Sequence, residues 1–180
     1  MDEGRGPGPL LRHARSTTGR PTATAADEIP LGELDRRNWS PRYAVHPRPV
    51  PPYAPFFDAA HLPADHLVAE LDGLGVVGFI RVVPPTGLPS HAHVRAVHGL
   101  VVDERARRRG VARALLEAAC ERARQEGAQW MTLRVLGPNR PARELYGALG
   151  FRVEGVLPGE FLLDGEYVDD VLMGRPLAQP

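Results

Sequence analysis

The chain has 180 residues, and its 22 basic and 22 acidic side chains cancel to a formal net charge of zero; this length fits one domain with extensions. The balance removes the electrostatic reason to expect nucleic acid or an anionic membrane as partner. A lone cysteine, Cys120, excludes an intramolecular disulfide and any multi-cysteine zinc site. No stretch is long and apolar enough to span a membrane, and the N-terminus lacks the apolar core of a secretory signal, so a cytoplasmic location is expected. All 22 basic residues are arginine, which we read as a bias of coding composition.

Residues 1–27 are rich in Gly, Pro, Arg, Thr and Ala, with almost nothing apolar beyond Leu10 and Leu11. Such a segment buries too little surface to offset its ordering entropy, so it is expected to be a disordered extension ahead of a domain over 28–177. An arginine-rich targeting peptide is the rival reading, disfavoured by Asp2 and Glu3. Ile29 to Trp39 reads as a short helix ending near Ser40-Pro41. Tyr43 to Phe57 then interleaves Pro47, Pro49, Pro51, Pro52 and Pro55 with Tyr43, Val45, Val50, Tyr53, Phe56 and Phe57. That spacing forbids helix and favours an extended chain with its aromatic side chains laid on the domain.

Leu67–Leu71 and Val76–Val83 flank turn residues Asp72, Gly73 and Gly75 as a hairpin, and Pro84–His93 is a loop. Val94–Asp103 reads as a central buried strand, followed by an arginine-rich turn and a helix opened by Gly110. From Val111 to Ala123 the apolar residues fall at 111, 114, 115, 118, 119 and 123, with Arg113, Glu117, Glu121 and Arg124 opposite. Cys120 lies on the apolar side and reads as a small buried hydrophobe rather than a nucleophile. Gln129–Leu136 returns as a parallel strand, completing a right-handed βαβ unit. Asn139 suits the N-cap of a second helix, with Pro141 in its first turn and Gly150 at its end. Phe151–Val156, Phe161–Leu163 and Tyr167–Met173 follow as strands, the last two around Asp164-Gly165. The sum is a mixed α/β (α+β) fold with helices on both faces of the sheet.

The first turn of a helix leaves N–H groups unpartnered and carries partial positive charge, so the start at Gly110 attracts phosphate. Arginine there opposes the dipole, which disfavours a merely solvated cluster, and a Walker loop is excluded because the chain has no lysine. The pattern Arg107-x-x-Gly110-x-Ala112 resembles the acetyl-CoA loop of the GNAT N-acetyltransferase superfamily, Gln/Arg-x-x-Gly-x-Gly/Ala. Downstream, Asn139-x-x-Ala142-x-x-Leu145-Tyr146-x-x-x-Gly150-Phe151 is similar to the helix and following strand of the same family. The hexapeptide alone is a weak signal, whereas the two at a normal distance are a strong one, covering residues 67–175.

This resemblance implies a GNAT fold: a mixed, mostly antiparallel sheet splayed between two parallel strands. It divides the domain into a variable acceptor side, 28–65, and an acetyl-CoA-binding core, 66–177. Acetyl-CoA is the implied cosubstrate, with no metal. Its pyrophosphate would rest on the amides of Arg109, Gly110, Val111 and Ala112, with Arg107, Arg108 and Arg113 beside them, and the arginine side chains from Arg105 to Arg109 would add positive potential. Its pantetheine arm would pair with Leu100, Val101 and Val102, near Asn139, which alternatively only caps its helix. Tyr146 matches the family tyrosine that protonates the departing thiolate; packing between Leu145 and Leu149 is its bland role.

An acceptor ammonium of pKa near 10.4 needs on the order of 4 kcal/mol to become a neutral nucleophile at pH 7, so a base is required. Some branches carry a glutamate on the central strand, where Ala96 stands here. His98, on the same face as Ala96 and Leu100 by the two-residue period, is the candidate base, although a lone strand histidine is often structural. Glu160, Asp164, Glu166, Asp169 and Asp170 either draw in a cationic amine or are exposed hairpin polarity. The family's second acceptor-side helix is replaced by the proline-aromatic loop, which either sets specificity or only covers the sheet. The function expected is direct acetyl transfer to a primary amine of a small molecule or of a peptide or protein N-terminus. The alternative is a catalytically inactive CoA-binding sensor or interaction module. Homodimers are common in the family, so the resemblance also allows one here.

Overall fold

The computed structural model describes residues 10–11 and 22–177. Its elements are β1 (Leu10–Leu11), α1 (Glu28–Asn38), β2 (His66–Leu71), β3 (Gly75–Val83), β4 (Val94–Val102), α2 (Val111–Gln125), β5 (Trp130–Leu136), α3 (Arg140–Ala148), β6 (Arg152–Leu163) and β7 (Glu166–Pro176). The strands form one sheet in the order β1-β2-β3-β4-β5-β7-β6. Every neighbouring pair is antiparallel except β4 and β5. That exception follows from α2, because a helical crossover returns the chain parallel to the strand it left.

The helices divide between the two faces as their apolar residues dictate. On one side Val111, Leu115, Leu116, Ala119, Cys120 and Ala123 of α2 and Tyr146 and Leu149 pack on Ile80, Val82, Met131, Leu133, Val135, Val171 and Met173. On the other, Leu31 and Leu34 of α1 pack on Val68 and Phe79, with Phe56, Phe57 and Val101 at the margin. Each fully buried aliphatic side chain contributes roughly 1.5–3 kcal/mol. The stripe on α2 is rotated from the one expected, since Leu116 is buried where Ala114 and Ala118 are only half-buried, while Cys120 is buried as expected. Leucine at 116 offers far more apolar area than an alanine, and so turns the helix toward itself.

Several sequence expectations are corrected. Residues 1–9 and 12–21 of the extension expected to be disordered lie outside the described residues, but β1 pairs with β2 and residues 22–27 are built into the domain. The Ala23 amide donates to His66 O at 2.9 Å, Ala23 is buried, and the buried Asp27 carboxylate accepts the Thr24 amide at 2.8 Å. Hydrogen bonding thus orders a stretch whose composition is poor in apolar residues. Ile29 is 69% exposed, and Leu31 and Leu34 carry the inward face of α1. The separate strands expected at 151–156 and 161–163 form one strand, β6, with a register irregularity between Leu157 and Phe161 that absorbs Pro158 and Gly159.

A second irregularity matters more. Between Arg81↔Gly99 and Val82↔Val97 the β3–β4 register shifts, leaving His98 as the extra residue. An inserted residue breaks the period-two alternation. Val97 and Leu100, three apart, therefore pack toward the same core, and His98 does not share a face with both Ala96 and Leu100 as simple alternation predicts.

Candidate functional site

β4 is followed directly by Asp103, a fully buried carboxylate and the anchor of the loop. It accepts Arg105 Nε at 3.0 Å, Arg105 Nη2 at 2.8 Å, the Arg105 amide at 2.9 Å and Arg37 Nη2 of α1 at 2.6 Å. These bonds, Arg105's foremost, hold its carboxyl far below the usual carboxylate range. Arg105 is therefore committed to bracing the loop rather than to the positive field expected of it, whereas Arg107, Arg108 and Arg109 are exposed and form no ion pair among the described residues. Sequence reading missed Asp103 and Arg37. The available signal was a carboxylate closing an apolar strand directly before an arginine run.

Beyond this anchor the backbone turns sharply. Arg108 and Gly110 both take positive φ, 62° and 80°. A Cβ at Gly110 would meet nothing within 4 Å, so the glycine is demanded by its dihedral and by whatever approaches from outside. Among the described residues no well-formed hydrogen bond from the amides of Arg108, Arg109, Gly110, Val111, Ala112 or Arg113 to a protein acceptor is present. Six adjacent free donors at a left-handed bend and a helix start form a nest for an anion. Arg113 turns its side chain to Glu117, at 3.7 Å on the next turn.

The parallel ladder beside this nest is short. It runs from Val94↔Trp130 to Val97↔Leu133 and stops, although β4 continues to Val102 and β5 to Leu136. The two strands part where β4 bulges, and Leu100, Val101 and Val102, expected as buried, are only half-buried. Their backbone still pairs with Ile80, Phe79 and Gly78 of β3, so the open edge faces β5. Such an edge can accept another extended chain. The unpaired backbone suits an amide-bearing arm that ends in a diphosphate. Asn139 caps α3 through the Ala142 amide at 3.3 Å, so its capping role is realised.

Tyr146 is 8% exposed, and its ring lies 6.0 Å from that of Phe151. Burial pushes its pKa up to about 12. The hydroxyl makes no hydrogen bond among the described residues and is not among the polar atoms sealed from solvent. An unpartnered phenol that stays protonated is a donor in waiting. Cys120 is buried and its thiol is pushed up by burial, as suits an inert side chain.

The opposite face of the sheet forms the second wall. His98, exposed at the bulge, has its pKa lowered by partial burial and then by Arg81 and His61, so it is neutral at neutral pH. The proline-aromatic loop is held there by side chains. Glu28 accepts the amides of Phe56 and Phe57 at 2.6 and 2.9 Å, the Trp39 indole donates to His46 O at 3.0 Å, and Arg81 Nη2 donates to Ala60 O. Arg36 stacks 4.4 Å over the Tyr53 ring. Between loop and α1 lies a cavity of about 490 Å³ lined by residues including Gly32, Asp35, Arg36, Tyr53, Phe56 and His61. Phe56 packs on Phe79, so the loop covers the sheet as one expectation had it, and Phe56 also lines the cavity.

The acids of the last hairpin separate. Asp170 is buried against Arg134, Glu160 meets Arg134 at 3.3 Å, and Asp169 accepts the Gly159 amide at 2.9 Å; Asp164 lies in the turn and Glu166 opens β7. Among the described residues no cluster of three His, Cys, Asp or Glu could hold a metal, and no helix is long and apolar enough to cross a membrane.

Comparison with known proteins agrees with this geometry. The sequence model of the acetyltransferase (GNAT) family matches residues 32–151. The chain is similar to the L-amino acid N-acetyltransferase AaaT of Escherichia coli, 31% identical over 82% of this chain and 98% of that protein. It is also similar to an N-alpha-acetyltransferase of Saccharolobus solfataricus, 36% identical over 69% of this chain and 78% of the relative. The structure of smu.2055 from Streptococcus mutans superposes with a TM-score of 0.75 at 27% identity, covering 87% of this chain and 98% of that one.

Proposed function

The chain belongs to the acetyltransferase (GNAT) family and is an acetyl-CoA-dependent acetyltransferase, and we propose that it acetylates the α-amino group of a small amino-acid-like acceptor by direct transfer. The observation that carries this reading is the run of six unpartnered amides, 108–113, beside the point where β4 and β5 part. Those amides receive the diphosphate, with Arg107, Arg108 and Arg109 adding positive potential. Hydrogen bonds to a charged group are worth about 1.5–3 kcal/mol each, so several suffice for micromolar affinity. The open edge of Leu100, Val101 and Val102 receives the pantetheine arm, with Asn139 close by. When bound, acetyl-CoA supplies a thioester whose carbonyl carbon accepts the amine and whose sulfur leaves.

The residues of the chain handle the protons. A free N–H of β4 polarises the carbonyl as an oxyanion donor. His98, neutral because its pKa is lowered, takes the ammonium proton, directly or through water. Tyr146 donates a hydrogen bond to the sulfur as charge builds there, and the second proton on nitrogen, acidic once the N–C bond has formed, passes to the departing thiolate or to water. Complete ionisation of a phenol at about 12 by a thiolate near 8.5 would be uphill by about 5 kcal/mol, so the bond, rather than a finished proton transfer, is its main contribution. Cys120, buried and with a raised pKa, offers no acetyl carrier, which favours transfer without a covalent enzyme intermediate. An α-amino acceptor is supported by the descriptions of the two relatives, an L-amino acid N-acetyltransferase and an N-alpha-acetyltransferase.

The test is release of CoA thiol from acetyl-CoA with free amino acids, simple amines and peptides, and mass spectrometry of the products. N-acetylated amino acid is expected. CoA binding without turnover on any amine would return the alternative of a binding module, and acetylation confined to peptides would move the acceptor to protein termini.

A further inference from the structure

Arg81 is the unusual residue of the acceptor wall. It stands on β3, facing Gly99 of β4 and His66 of β2 across the ladders. Its side chain is 16% exposed, yet its charge is poorly answered. Nη2 donates to the neutral carbonyl of Ala60, and Asp65, its one acidic contact among the described residues, lies 4.0 Å away. Nε is sealed from solvent without any partner. Nη1 has no partner among the described residues either, and it is not among the atoms sealed from solvent. An arginine buried to this degree without a bidentate carboxylate is costly. Native structures tolerate such cost mainly where function uses it.

The surroundings explain what could complete the guanidinium. Gly99 leaves room beside it, because a Cβ there would meet only Phe79 Cε2, at 3.9 Å. His98, the neighbour of Gly99 at the bulge, feels the positive charge of Arg81. The loop that closes over this spot is tied to Arg81 itself through Ala60. The subsite is thus a half-satisfied guanidinium, a side-chain-free floor and a neutral imidazole, at the strand position where the parallel ladder ends.

We propose that Arg81 is the specificity-determining residue of the acceptor site and binds the α-carboxylate of a free amino acid, orienting its amine toward His98. The inference rests on the α-amino acceptor proposed above and narrows it, since a peptide N-terminus or a simple amine has no carboxylate on that carbon. A planar guanidinium matches a carboxylate in a way an ammonium does not. Among the described residues Asp65 is the only acid near enough to compete, and its single long contact leaves the charge largely free.

The experiment compares free L-amino acids with their carboxamides on wild type, Arg81→Gln and Arg81→Lys. For the best acceptor, wild type is expected to favour acid over carboxamide by about 10- to 100-fold in kcat/KM, the worth of one charge-assisted contact. Arg81→Gln should collapse that ratio toward one by raising KM for the acid, with KM for acetyl-CoA unchanged, and Arg81→Lys should restore part of it. In parallel, the N-acetylated product and its carboxamide are titrated calorimetrically into CoA-loaded protein, where the acid alone should weaken in Arg81→Gln. Melting curves report folding, and Arg81→Lys retains the charge should glutamine disturb the wall. An equal loss for acid and carboxamide, or a wild type indifferent to the carboxylate, overturns the role of Arg81 while leaving α-amino acetylation intact. Acetylation of simple amines but of no amino acid overturns both.

Discussion

On one side of the cleft, residues 108–113 carry six main-chain donors suited to an anion, and Asp103 braces the loop from behind through Arg105 and Arg37 while Arg107, Arg108 and Arg109 stay exposed. On the other side, residues 43–61 present no regular backbone, and Glu28, Trp39 and Arg81 hold them in place by scattered side-chain contacts. In the proposed reading the first wall recognises with its backbone, so its demands fall on conformation, above all a glycine at φ 80°. The second would recognise with side chains, so its demands fall on identity at scattered positions. A backbone site suits a cosubstrate that never changes. A side-chain site can be retuned residue by residue without disturbing the sheet, which is where an acceptor preference belongs.

The contrast can be broken most sharply at Gly110. Gly110→Val places a β-branched residue at positive φ and fills the mouth of the nest, so affinity for CoA by calorimetry should fall by about 10²-fold or more, with the acceptor KM little changed. If affinity survives, backbone recognition is wrong. Tyr146→Phe comes next. It removes a hydroxyl with no protein partner, so Tm should hold while kcat drops by about 10²-fold. A matching loss of stability with intact kcat would make Tyr146 a core residue only.

His98→Gln should lower kcat/KM by about 10- to 100-fold at neutral pH. Because the folded pKa of His98 is lowered below 6.5, wild-type activity should be full at neutral pH and decline only below that value, as protonation removes the base. A pH–rate profile whose acidic limb persists unchanged in His98→Gln would place the base elsewhere. The smallest effect is expected at Glu28. Glu28→Ala frees the amides of Phe56 and Phe57, so acceptor KM should rise by about 3- to 10-fold and stability fall by about 1–3 kcal/mol, with CoA affinity untouched. A parallel loss of CoA affinity would show that the two walls are coupled, for which the Arg37–Asp103 pair is the available route.

What was legible in the chain follows the same division. Asn139 as cap, Gly110 as the start of α2 and the strand–helix–strand order could be read because local rules fix them: a cap needs its oxygen two or three residues ahead of an amide, and left-handed φ needs glycine. The position of Tyr146 came through resemblance, whereas its unpartnered hydroxyl and raised pKa depend on what surrounds it. The face of His98 was misassigned because a bulge is a property of two strands together, and one strand's alternation cannot reveal the extra residue.

By itself, then, the sequence determined the order of elements, the split of apolar residues between two faces and the conformationally demanding bend, since these depend on neighbours within a turn or two. Only the tertiary structure decided that Asp103 would gather Arg37 and Arg105, that residues 22–27 would join the domain, that the parallel ladder would end at Val97, and that Arg81 would be left half-satisfied beside Gly99. Those outcomes depend on which groups meet across long separations, and burial and hydrogen bonding between such groups are settled only when the whole sheet closes.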